Sequence, residues 1–155
     1  MLAMFDVYPW LKVLHVLLAI VAVGSNITYG IWQARAAREP LHVGWALRGV
    51  KFLDDRVANP SYIGLGIVGV LLVLTGPHEF EQPWLVISIG LYVVLAVVAF
   101  GLYSPTLSRQ IRVYEAEGPD APAFLALGRR SQLIAALLGV LVLAIIVLMV
   151  VKPGS

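Results

Sequence analysis

Four long apolar runs constrain this chain more than any other feature. A helix needs roughly 20 predominantly apolar residues to cross the hydrocarbon core of a bilayer. Segments at about 8–33, 57–76, 84–104 and 131–152 meet that requirement. The runs are continuous and do not alternate with period two, so a transmembrane β-barrel is disfavoured. Hydrophobic residues make up 60% of the chain and charged ones only 13%, about half the charged share of a soluble domain. The reading is an all-α, integral membrane, antiparallel four-helix bundle that occupies residues 1–155 as a single transmembrane domain.

The amino terminus, "MLAMFDVYPW", has no basic region ahead of its apolar run and no small-residue cleavage site. It is therefore expected to stay as the first span and not to be removed as a secretory signal. The second span opens on "NPS", where a proline suits a first helical turn because its missing N–H costs nothing there. Cysteine is absent, which excludes disulfides, thiolate nucleophiles and cysteine-ligated metal centres.

Charge gives the orientation. Of eleven Lys and Arg residues, nine fall in two loops: Arg35, Arg38, Arg48, Lys51 and Arg56 after the first span, and Arg109, Arg112, Arg129 and Arg130 after the third. The turn "GPHEFEQP" carries none. By the positive-inside rule both basic loops are cytoplasmic and both termini extracytoplasmic, as in a bacterial inner membrane. The basic excess thus reflects topology, and nucleic acid is not an expected partner. The lipid bilayer is.

The first basic loop is too long to lack structure. "EPLHVGWALRGVKFLDDRV" places Leu41, Trp45, Phe52 and Leu53 at helical spacing, with Pro40 at a helix start. An interfacial amphipathic helix over about 41–55 is the expectation. The second, with "EAEGPDAP", reads as a turn-rich connection.

Within the spans, polar residues line up. At 100° per residue His15, Ala19, Ala22, Asn26, Tyr29 and Gln33 share one stripe of the first helix. Ser88, Tyr92, Ala96, Ala99 and Tyr103 share one on the third, and Gly64, Gly66 and Gly69 lie on the second. Small and polar residues face other helices in a membrane, so plain helix packing accounts for all three. The functional alternative is a cavity lined by Asn26, Tyr29, Ser88 and Tyr92. His15 is the sharpest feature, since a neutral imidazole can ligate haem iron, copper or zinc. Its bland reading is a hydrogen bond to a neighbouring helix. His78, beside Glu79 and Glu81, and Met149 are the candidate second ligands on the same side. Lys12, next to Trp10, reads as snorkelling to the interface. No phosphate loop, HExxH motif or G-x-S-x-G elbow occurs, and the middles of the last three spans hold no acid or base that would line an ion path.

"WLKVLHVLLAIVAVGSNITYGIW" resembles the start of an uncharacterised bacterial family of four-helix integral membrane proteins. That family in turn looks like a distant relative of the membrane-bound protoporphyrinogen IX oxidase and of the copper-resistance membrane domain. Trp10, Lys12 and His15 match the oxidase pattern, as do "LRGVKFLDDRVANPSYIGLGIVGVLLVLTG" and the closing "VVKP". The resemblance implies haem b on His15. The oxidase also has a lysine early in its third helix, and "QPWLVISIGLYVV" contains none. Two functional expectations stand side by side: a haem-binding, redox-linked membrane protein using His15, or a non-enzymatic accessory subunit or small transporter-like oligomer. The second would use the small-residue faces to self-associate or to hold another membrane subunit.

Overall fold

The structure, a computed structural model, describes residues 7–76 and 82–154. Among them the chain is helical almost throughout, with no strand. Helix α1 spans Val7–Ala36, and a short 3₁₀ turn at Pro40–His42 leads into α2, Val43–Leu53. A π-turn at Asp54–Ala58 joins α2 to α3, Asn59–Thr75. Helix α4, Pro83–Val98, passes through a second π-turn at Ala99–Tyr103 into α5, Ser104–Glu117. Helix α6 covers Pro122–Val151. Taken with their π-turns, these make four helices long and apolar enough to cross a membrane.

Both π-turns have the same cause in the sequence. Each is followed at once by a residue–proline pair, Asn59–Pro60 and Ser104–Pro105. A proline inside a helix lacks the N–H for its i−4 carbonyl and its ring collides with that carbonyl. Opening the preceding turn by one residue relieves both. Accordingly the Asn59 N–H bonds to the Asp54 carbonyl and the Ser104 N–H to the Ala99 carbonyl, each five residues back.

The boundaries differ from the apolar windows for a related reason. Hydropathy marks where a helix is apolar, not where it stops. Residues 104–117 continue the third span as a polar helix, ending only at Gly118, whose φ of +86° suits glycine alone. Pro122 opens α6 well before the apolar run at 131. The expected turn-rich loop shrinks to residues 118–121. The segment expected to lie on the membrane surface joins α3 through its π-turn, and its inward face is Val43, Ala46, Leu47 and Val50. Leu41, Trp45 and Phe52, the apolar face read from the sequence, point outward and are exposed.

Packing is reversed relative to a soluble protein. Val70, Leu133, Val140 and Val150 are more than half exposed, whereas Ala22, Ser88 and Ser131 are buried. Large aliphatic side chains outside and small or polar ones inside is the arrangement that hydrocarbon solvent favours. Helices α1 and α3 run side by side in opposite directions: Tyr8 meets Gly76, His15 meets Gly69, Leu18 meets Gly64, and Asn26 meets Tyr62. Helix α4 packs along α6, and α2 and α5 tie the two pairs together at the basic end. The continuous core lies at that end, around Leu47, Val50, Leu107 and Phe124.

Candidate functional site

The stripes read from the sequence do turn inward. Ala22 and Tyr29 on α1, and Ser88 and Tyr103 on the third span, are buried. Asn26 and Tyr92 meet through a residue the sequence did not single out, Tyr62 of α3. The Asn26 amide donates to the Tyr62 hydroxyl at 2.5 Å, and the Tyr92 hydroxyl donates to the Tyr62 carbonyl at 2.5 Å. Gly66 makes this possible, since a Cβ there would lie 2.5 Å from the Tyr92 hydroxyl oxygen. Tyr29 lies below, its ring stacked on Tyr103 with centroids 6.2 Å apart and planes 4° from parallel.

The other two sequence candidates stand apart. Ser88 is buried and donates to the Trp84 carbonyl of its own helix at 2.7 Å. His15 lies against α3, where a Cβ on Gly69 would come within 3.3 Å of its ring. The imidazole is half-buried there and lies beside the Leu65 backbone of α3, within hydrogen-bonding reach. Eleven residues separate it from Asn26, roughly 16 Å along the helix. A single ligand on His15 would not also be lined by Tyr29. Met149 is exposed on α6, and His78, Glu79 and Glu81 fall outside the described residues. Lys12 places its Nζ over the Tyr8 ring at 4.4 Å. No group of three or more His, Asp or Glu able to hold a metal occurs among the described residues.

The most unusual group is a carboxylate that the sequence did not single out. Asp54 is 4% exposed. It sits in the first π-turn, facing the start of α5 just past the second. The Ser104 hydroxyl donates to Asp54 Oδ2 at 2.7 Å, and the Asn59 amide approaches the same oxygen at 3.5 Å. Lys51 Nζ bonds to Ser104 Oγ at 3.1 Å, lies 3.8 Å from Asp54 Oδ2, and pairs with Asp55. The two proline-induced openings are thus stitched together by one carboxylate. Tyr29, Tyr62 and Tyr103 all lie within its electrostatic range. The Tyr29 hydroxyl is buried and without a hydrogen-bond partner among the described residues.

The family of predicted integral membrane proteins (DUF2269) matches residues 9–153. The chain belongs to this family. No curated protein and no solved structure matches it, so the likeness to the porphyrin oxidase and to the copper-resistance domain rests on its short motifs alone.

In this DUF2269 chain the polar groups follow one seam between α1 and the kinked second span. Gln33 and Asp54 lie towards the basic end, next to Tyr29 with Tyr103, and Tyr62 with Asn26 and Tyr92 lies further in. A cavity of about 380 Å³ opens at the basic end, with Gln33, Gln110 and Arg129 in its wall. Gln33 lines this cavity and also lies beside the Tyr103 hydroxyl. One signal in the sequence does point to Asp54: an acid four to six residues ahead of a proline, in a span-length helix, falls in the turn that the proline opens.

Proposed function

We propose that this protein is a small transporter-like carrier in which Asp54 takes up and releases a proton or a small monovalent cation. The observation that supports this reading is the burial of a carboxylate at the meeting point of two opened helical turns. A buried carboxylate is costly to keep in any protein interior, and such groups cluster at functional sites. A π-turn frees backbone groups and is frequent at functional positions. When Asp54 is protonated it can donate to a neighbouring oxygen. When it is ionised, the Ser104 hydroxyl and the Asn59 amide donate to it, and the Lys51 ammonium 3.8 Å away balances the charge. In the orientation read from the charges, the cavity at Gln33 gives access from the cytoplasmic side of a bacterial inner membrane, with both termini outside.

The test is proton uptake by purified protein in proteoliposomes loaded with a pH-sensitive dye. It is joined to infrared difference spectra across a pH jump. Wild type should show a protonated-carboxyl band that Asp54→Asn removes, and Asp54→Asn should slow dye acidification at least tenfold. Equal flux in the two proteins, or no carboxyl band assignable to Asp54, would overturn the reading.

A second reading keeps haem b on His15, supported by the position of this histidine inside the first span and by the short motifs shared with the oxidase. Haem would supply one-electron transfer, held by His15 as its single protein ligand. An absorption spectrum of protein from haem-replete cells decides this: a stoichiometric Soret band that His15→Ala abolishes supports it, and colourless folded protein removes it. As an accessory subunit or oligomer the chain would instead use the exposed apolar face of α1, and its mass in detergent would exceed one copy.

A further inference from the structure

A second cavity, of about 520 Å³, lies between the end of α1 and the start of α2. Its walls include Ile31, Trp32, Arg35, Glu39, His42 and Trp45. The two indoles meet edge to face with centroids 5.5 Å apart, and both are more than a third exposed. Paired indoles at the end of an apolar span belong at the depth of the lipid headgroups, where one edge is wet and the other apolar. Glu39 is already matched, with its Oε2 3.2 Å from His42 Nδ1. Arg35 forms no ion pair among the described residues. Arg35 is thus the unpaired cation of the wall, a planar donor suited to a phosphate. Above it Ile20, Ile27 and Ile31 lie on one exposed face of α1, an apolar track that leads from the cavity towards the middle of the span.

We propose that this cavity binds the headgroup of an anionic glycerophospholipid. Arg35 holds the phosphate, Trp32 and Trp45 flank the glycerol region, and an acyl chain lies along Ile31, Ile27 and Ile20. The unpaired guanidinium of Arg35 and the apolar track beside it select the occupant. A neutral amphiphile would leave Arg35 unmatched, and a free anion would leave the isoleucine track uncovered. This inference needs only that the chain spans a membrane, and stands whether or not Asp54 carries a cation.

The experiment uses the full chain with Trp10→Phe and Trp84→Phe, which leaves Trp32 and Trp45 as the only indoles. The protein is reconstituted into phosphatidylcholine vesicles containing increasing dibrominated phosphatidylglycerol, whose bromines quench nearby indoles. Preferential binding should quench at a bromolipid fraction roughly fivefold below that needed for dibrominated phosphatidylcholine, the preference expected of one cation near an anionic surface. Arg35→Gln should abolish that preference while helical content by circular dichroism stays the same. Arg38→Gln, a neighbouring arginine outside the cavity wall, should leave it intact. Inorganic phosphate at 50 mM, a concentration chosen to exceed any headgroup present, should not restore the fluorescence. Quenching that follows mole fraction alone, an equal loss in Arg38→Gln, or reversal by inorganic phosphate would each overturn the proposal.

Discussion

At the scale of single residues, the inward stripes were readable because a helix repeats every 100°, and a membrane helix turns its small and polar residues towards its neighbours. Asp54 was not readable in that way. In sequence it sits in a run of charges, "KFLDDR", that looks like solvated surface, and only the packing of α5 across the π-turn encloses it. Asp54 and Asp55 therefore predict unequal effects. Asp54→Ala strips the acceptor from the Ser104 hydroxyl and should cost about 1–3 kcal/mol, as expected when a buried donor is left unmatched. Asp55→Ala, with a side chain 48% exposed, should stay within about 0.5 kcal/mol. Thermal unfolding in detergent separates the two. Gly66 gives a sharper test. Gly66→Ala drives a methyl into the Tyr92 hydroxyl and should destabilise by about 1–3 kcal/mol. In a Tyr92→Ala background that cost should vanish, because the hydroxyl, Cζ and Cε1 that a methyl at position 66 would strike are all gone. Equal costs in the two backgrounds would mean that Gly66 is not there for Tyr92.

At the scale of elements, the prolines were visible, but their consequence depended on what preceded them. Pro60 reads as the first turn of a new helix, and it is that only because α2 runs straight into it. Polar stretches such as "SRQIRVYEAE" carry no signal of a membrane span, yet they remain helical once the apolar part has nucleated them, since propagation is far easier than nucleation. The two π-turns set how α2 meets α5. Arg48 and Glu115 face each other across that contact at 3.5 Å. With no native cysteine to interfere, an Arg48→Cys, Glu115→Cys pair should be bridged rapidly by a short bis-thiol-reactive reagent that spans the reach of the two native side chains. Adding Pro105→Ala restores the ordinary i−4 bond, closes the π-turn and swings α5 away, so cross-linking should slow by about tenfold or more. An unchanged rate would show that the proline does not shape the junction.

At the scale of the whole molecule, the number of spans and the all-helical class follow from apolar length alone, because backbone groups in hydrocarbon must be satisfied within the segment. Which helix lies beside which was not legible. Valine and leucine serve equally well against lipid and against protein, so nothing in the runs distinguishes α1 beside α3 from α1 beside α6. The charge-derived orientation makes a direct prediction. A single cysteine placed at Ala116 should react with a membrane-impermeant maleimide only after the cells are opened, and one at Pro153 should react in intact spheroplasts. The reverse pattern would invert the topology. The junction of Lys51, Asp54 and Asp55 also has an electrical consequence. Two carboxylates and one ammonium sum to a single negative charge, so one proton or one monovalent ion brings the trio to neutrality and a second does not fit the count. For a carrier built on it, the loaded form presents no net charge to the membrane field, whereas the empty form presents one. A potential of 100 mV is then worth about 2.3 kcal/mol on the unloaded half of the cycle. The voltage, and not only the gradient of the cargo, would set the direction of turnover.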